Sequence, residues 1–162
     1  MIKILALSDT HINQTDQRLP DQVIEEASKV DMIFHTGDFT GKDAYDYINS
    51  LNKLVAVRGN MDDYYIGGIL PIKHSLVIEG VRIGLIHSSG SYDQAVWRAR
   101  SAFESVEMIL FGHTHYPFNE RIGDVLMFNP GSSTEPRNAP FPSFGIIEID
   151  SGNFTSRIIP LL

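Results

Sequence analysis

The chain contains no cysteine. Thiolate nucleophiles, cysteine-held zinc and disulfides are therefore excluded. Long apolar runs are missing too. The first run, Ile2–Leu7, gives way to Ser8 and Asp9, which is too short to span a bilayer and carries no small-residue cleavage site. The expectation is a cytoplasmic protein with no membrane association. Basic residues form no stripe. They are scattered singly, and the formal charge is −7, which argues against long nucleic acid as a partner. Neither a glycine–lysine phosphate loop nor a serine–histidine nucleophile signature is present, and there is no repeat, low-complexity tract or linker.

The 162 residues suit one domain, residues 1–162. A chain of this length buries roughly 68–70% of its unfolded surface, so one core suffices without staples. Hydrophobic residues make up 43% and charged residues 20%, an ordinary globular balance. Short apolar runs recur at 2–7, 32–34, 54–57, 81–86, 108–111 and 125–128. Their length and their Ile and Val content predict buried strands. Helical spacing of apolar residues appears at 19–30, 42–52 and 92–103. Strands alternating with helices predict βαβ units and partly parallel sheet. Towards the end, Gly152-Asn153 separates two β-like runs, 144–149 and 154–159, and predicts a hairpin turn. The fold class expected is α/β, with a sheet core in two layers and helices on its flanks.

Each early run is followed at once by polar residues. These are Asp9 and His11, Asp38, Asn60, His87, and then His113 and His115. In open α/β sheets ligands collect beyond the carboxyl ends of strands. Singly, each residue has a structural explanation: a turn, a helix cap or a core histidine. The pair in FGHTHYP is harder to explain so, because two neighbouring imidazoles gain little structurally. Seven oxygen and imidazole donors exceed the needs of one ion and suit a two-metal site. A donor set without sulfur favours Mn²⁺, Fe or Zn²⁺ over Ca²⁺.

The pieces SDTH (8–11), TGD (36–38), RGNMD (58–62), IHSSG (86–90) and FGHTH (111–115) resemble the calcineurin-like metallophosphoesterase superfamily. NPGSSTEPR (129–137) brings the chain closest to its small bacterial and archaeal phosphodiesterases. The resemblance implies an α/β fold in four-layer α+β form, two packed mixed β-sheets flanked by α-helices. It implies two divalent ions, Mn first, with Zn, Fe, Ni or Co as alternatives. Asp9, His11 and His115 would hold one ion; Asn60, His87 and His113 would hold the other; Asp38 would bridge them. Asp38, Asn60 and His87 are also the residues it implies for catalysis. A hydroxide shared by the ions would attack phosphorus, and the expected substrate is a small phosphodiester or a nucleotide. A phosphomonoesterase and a non-catalytic metal-binding scaffold are the alternatives, since some relatives of this fold serve as scaffolds. The resemblance also suggests a homodimer or homotetramer.

Two departures stand out. Met61 occupies the place where much of the superfamily has a leaving-group histidine, and it carries no proton. Asp62, Asp63 and His74 are candidates to replace it. Ser88 follows His87 where glycine is usual. Arg58 and Arg137 are candidates for phosphate contact. Tyr64 and Tyr65 are expected to pack on their loop or line the cleft. His35 is expected to be structural, His74 exposed, and Trp97 to pack or sit at a subunit interface.

Overall fold

The computed structural model describes residues 1–13 and 16–162. It contains two five-stranded mixed sheets packed face to face, with helices on both outer faces. The first sheet is built from β1 (Ile2–Leu7), β2 (Met32–His35), β3 (Leu54–Ala56), β9 (Ser143–Asp150) and β10 (Asn153–Pro160), in the order β10-β9-β1-β2-β3. The second uses β4 (Lys73–Ile78), β5 (Val81–Ile86), β6 (Met108–Leu110), β7 (Phe118–Ile122) and β8 (Val125–Asn129), in the order β4-β5-β6-β8-β7. Helices α1 (Asp21–Ala27), α2 (Lys42–Leu51) and α3 (Tyr64–Ile69) cover the first sheet, and α4 (Tyr92–Ser101) covers the second.

Alternation along the strands makes these layers. Ile4 and Ala6 point between the sheets, where they meet Ile83, Leu85, Met108 and Phe128. Their neighbours Leu5 and Leu7 point outward to Val23, Ala44 and Ile48. Ile109 and Met127 face Val96 and Ala99 of α4. Both faces of each sheet are thus dry at the centre, which explains the near-continuous apolar runs.

β1, β2 and β3 run parallel, as do β5, β6 and β8 in the second sheet. All seven candidate ligands follow the carboxyl end of one of these strands. The first helix is shorter than its pattern: Pro20 begins it and Ser28 ends it, its hydroxyl donating to the Glu25 carbonyl. The hairpin turn falls one residue earlier than expected. Its central residues are Ser151 (φ 50°) and Gly152 (φ 86°), and Asn153 already pairs with Asp150. Positive φ at both centres fits the twist of the flanking strands. Trp97 does not pack: α4 buries Ala95, Val96 and Ala99, and Trp97 lies on the outer side, 58% exposed. Among the described residues no helix is long and apolar enough to cross a membrane.

Candidate metal centre

Five loops bring the seven residues together, and their backbones are unusual. Asp9, His11, Asp38, His113 and His115 all have positive φ, between 41° and 77°. Non-glycine residues rarely adopt this region, and such strain concentrates at functional sites. The loops are stitched to one another. Asp9 N–H donates to the Gly37 carbonyl at 2.9 Å, His11 N–H to Asp38 at 3.0 Å, and Gly112 N–H to His87 at 3.1 Å. At Gly112 the chains meet so closely that a Cβ would lie 2.0 Å from Ser8 Oγ. Only glycine fits that place before the two histidines.

The two histidines of FGHTHYP serve opposite sides of the site. His115 stacks on His11, with ring centroids 5.0 Å apart, and its Nε2 lies 3.6 Å from Asp9 Oδ1. His113 meets His87 edge-on at 5.4 Å, and its Nδ1 lies 3.2 Å from Asn60 Oδ1. Between the two groups stands Asp38, whose Oδ2 is 3.4 Å from both His11 Nε2 and His87 Nε2. The structure therefore gathers all seven residues. Asp9, His11, Asp38, His87 and His115 are buried, while Asn60 is exposed and His113 half-buried.

Three of the four imidazoles are oriented by backbone carbonyls. His87 Nδ1 donates to the Thr36 carbonyl at 2.7 Å, His115 Nδ1 to the Glu135 carbonyl, and His113 Nε2 to the Gly90 carbonyl at 3.1 Å. A carbonyl only accepts, so each of these rings, when neutral, turns its lone pair into the site. This is the arrangement expected of metal-binding histidines. Three buried atoms on the same side, Asp9 Oδ1, His11 Nε2 and His115 Nε2, have no hydrogen-bond partner. Buried polar atoms are normally paired, so a cation is the missing partner that these donors fit. Asp9, His11 and His115 form one group with metal-binding geometry; Asp9, Asp38 and His87 form a second.

The electrostatics point the same way. Burial acts to lower the His87 pKa, but the Asp38 and Asp9 carboxylates outweigh it and raise the ring to about 9. Burial likewise opposes ionisation of Asp38, yet contact with His87, the Met61 N–H and His11 hold it below the usual carboxylate range. Without an ion, a proton on His87 offsets the two carboxylates. A bound cation would displace that proton.

NPGSSTEPR stood out in the sequence only as a point of resemblance; the structure gives its residues a role in holding these groups. Glu135 supplies the carbonyl for His115 and places its carboxylate 3.7 Å from His11 Nε2. Within the same segment, Ser132 Oγ donates to the Asp9 carbonyl at 2.7 Å, and Thr134 Oγ1 donates to the Thr10 carbonyl. Asn129 Nδ2 donates to Gly112 and Thr114. NPGSSTEPR therefore ties the 8–11 loop to the 111–115 loop. Backbone carbonyls leave no mark in a sequence, and only the unusual density of Ser, Thr and Asn there was a signal.

The candidate replacements for the absent histidine have other partners. Asp62 Oδ2 accepts the N–H groups of Gly59 and Asp38, at 2.7 and 2.9 Å. Asp63 caps α3 by accepting the Ile66 N–H. His74 lies on the exposed edge strand β4, opposite Leu85. Met61 itself is 57% exposed. Arg137 is ion-paired with Glu135 at 3.2 Å. Tyr64 points into solvent, 98% exposed, and Tyr65 carries Lys42 over its ring. His35 is buried, as expected of a structural residue.

The family profile of the calcineurin-like phosphoesterase superfamily domain matches residues 2–152. The chain belongs to this superfamily. A probable metallophosphoesterase of Methanocaldococcus jannaschii, MJ0623, is 38% identical over 158 residues, which cover 96% of this chain and 79% of that one. The phosphodiesterase YfcE of Escherichia coli K12 is 30% identical over 104 residues, 61% of this chain and 54% of that protein. The crystal structure of Vps29 from Entamoeba histolytica complexed with zinc superposes with a TM-score of 0.73 at 21% identity, covering 98% of this chain and 99% of that one. At that identity the likeness is one of fold. As a member of the calcineurin-like superfamily, the chain has the two packed mixed sheets expected of it, and its Asp and His groups are suited to divalent metal.

Proposed function

We propose that this chain, acting as one domain, is a metal-dependent phosphodiesterase for small phosphodiesters. The observation that carries this reading is the set of three buried, partnerless donors, Asp9 Oδ1, His11 Nε2 and His115 Nε2, turned into one space. Asp9, His11 and His115 would hold one divalent ion, and Asn60, His87 and His113 a second, with Asp38 between them. The oxygen and imidazole donors suit Mn²⁺, with Zn²⁺ or Fe as alternatives. Bound divalent ions supply Lewis acidity and a nucleophilic water ionised near neutral pH. The chain supplies orientation: the Thr36, Glu135 and Gly90 carbonyls fix three rings, and the Met61 N–H fixes Asp38 Oδ1 at 2.8 Å. No proton-bearing side chain at position 61 can assist the leaving group. That favours esters whose leaving group needs little protonation, since general acid catalysis is worth about 10²–10⁴-fold.

The test is hydrolysis of bis(p-nitrophenyl) phosphate beside p-nitrophenyl phosphate, with chelator-stripped protein and Mn²⁺, Zn²⁺, Mg²⁺ or nothing added back. Metal-restored activity favouring the diester is the expected result. A preference for the monoester would make the chain a phosphatase. Two bound ions with no turnover of either ester would overturn the enzymatic reading in favour of a metal-binding scaffold, the reading that its fold likeness to Vps29 brings forward.

A further inference from the structure

On the Asn60 and His87 side, the site opens into a cleft of about 400 Å³ whose walls include Arg58, Asn60, Ile72, His87, Ser89 and Arg98. Its two arginines differ from three others in the chain, although Arg100 and Arg121 are likewise held by backbone carbonyls. Arg82, Arg137 and Arg157 are ion-paired with Glu107, Glu135 and Glu148. Among the described residues, no carboxylate lies within ion-pair distance of Arg58 or Arg98. Acidic residues outnumber basic ones, 20 to 13, so a shortage of acid is not the reason. Each guanidinium is anchored by one hydrogen bond, Arg58 Nη1 to the Gly67 carbonyl and Arg98 Nη1 to Ser89 Oγ at 3.1 Å. A guanidinium has five donors, so both retain free N–H groups beside the cleft.

The loop between them is shaped to hold Arg98 near the site. Gly90 has φ +89°, and a Cβ there would stand 2.6 Å from Arg98 Nη1. The guanidinium therefore lies against a bare backbone whose carbonyl accepts the N–H of His113. Ser88, at φ 79°, is pinned to α4 by its hydroxyl, which donates to the Ala95 carbonyl at 2.6 Å. Ile72, also in the lining and 60% exposed, adds an apolar side chain to the cleft. A cleft lined by an apolar side chain and two guanidiniums without carboxylate partners, next to the proposed phosphoester site, suits a group that is apolar in one part and anionic in another. Phosphate matches the planar guanidinium fork best.

We propose that this cleft binds a second phosphate, carried on a nucleoside arm of the scissile phosphodiester. The proposal rests on the phosphodiesterase reading above and names its substrate class. The test uses metal-loaded protein and two substrates with the same leaving group: the p-nitrophenyl ester of thymidine 5′-phosphate, with and without a 3′-phosphate. The expected ratio of kcat/KM favours the 3′-phosphorylated ester by about tenfold or more, the scale of charge-assisted hydrogen bonds. Arg98→Gln, on an exposed helix position, and Arg58→Gln should each move that ratio towards one. Taking the ratio cancels any loss of metal or folded protein. A ratio of one in the unaltered protein, or a ratio that survives both substitutions, overturns the inference. If added orthophosphate raises the unphosphorylated ester to the rate of the other, the cleft holds a free anion and the inference is again overturned. Should neither ester be turned over, the fluorescence of the single tryptophan, Trp97, or calorimetry reports binding of thymidine 3′,5′-bisphosphate against thymidine 5′-monophosphate. Tighter binding of the bisphosphate that Arg98→Gln abolishes keeps the cleft as the site of a nucleotide's second phosphate, while the enzymatic reading, and with it the word scissile, falls. Equal binding overturns it.

Discussion

Asp62 receives the backbone N–H of Asp38 on the same carboxylate oxygen that receives the N–H of Gly59. One side chain thereby locks the turn after β2 to the turn after β3, and sets where Asp38 stands. Burial raises the Asp62 pKa to about 6. This position makes Asp62 a positioning residue, with a distinct signature. Asp62→Ala should leave two partly buried N–H groups unpaired, at about 1 kcal/mol each, and lower metal affinity by about 10–100-fold. Asp62→Asn keeps an accepting oxygen and should retain most of both. Thermal melts and metal titration check this. If the Asn variant melts normally but loses turnover as fully as the Ala variant, Asp62 is acting as an acid instead.

Asp38→Asn should remove the charge shared by the two halves of the site. Diesterase turnover is expected to fall by about 10³-fold or more, the scale of several kcal/mol of lost charge stabilisation. Circular dichroism and metal counting establish that the variant is folded and loaded. Unchanged turnover in such protein would sink the assignment of Asp38 to the position between two ions.

Met61→His tests the absent proton donor. The side chain projects outward while its N–H holds Asp38, so substitution leaves the site's frame in place. Hydrolysis of a phosphomonoester should rise about tenfold or more, and that of an aryl diester by less. Equal gains for both, or none, would show that leaving-group protonation does not limit the reaction at this position.

His35 gives a pH dependence of stability. Gly37 N–H donates to its Nδ1 at 3.0 Å, so Nε2 carries the proton and donates to Thr10 Oγ1 at 2.9 Å. The ring is neutral, and burial, reinforced by nearby His87, lowers its pKa to about 3. The unfolded chain takes up this proton near pH 6.5, before the folded chain does. Stability from this group is therefore complete above about pH 6.5 and is lost as pH falls towards 3. The loss between pH 7 and pH 4 should be about 3 kcal/mol. Denaturant melts of His35→Gln should show that much less pH dependence in metal-free protein; identical slopes would refute the account.

What the sequence revealed followed from burial and chemistry together. Buried strands such as Ile2–Leu7 show as apolar runs because both faces are covered, and the ligand types stand at their ends. The edge strands of the second sheet did not show. β4 and β7 lie at the margins of their sheet, and their residues are mostly exposed, so Lys73-His74-Ser75 and Asn119-Glu120-Arg121 look like loops. α3 was missed because Tyr-Tyr-Ile-Gly-Gly-Ile is one short turn with two glycines and no amphipathic period; its Asp63 cap holds it. Trp97 does not pack within the chain because it lies on the side of α4 away from Ala95, Val96 and Ala99, which leaves the subunit-interface alternative standing. At the candidate site, side-chain donors were legible, whereas Thr36, Glu135 and Gly90 act through backbone carbonyls that any residue has.

The gathering of Asp9 and His115, more than a hundred positions apart in the chain, has a consequence for how the protein matures. Contacts so distant in sequence form late, because the entropy of closing long loops must be met first. The site comes into being only when both sheets have closed on each other, after the segment that follows β8 has tied the first loop to the sixth strand's end. A chain cut before β6 would keep Asp9 and His11 but lack His115, and so could not assemble their shared group.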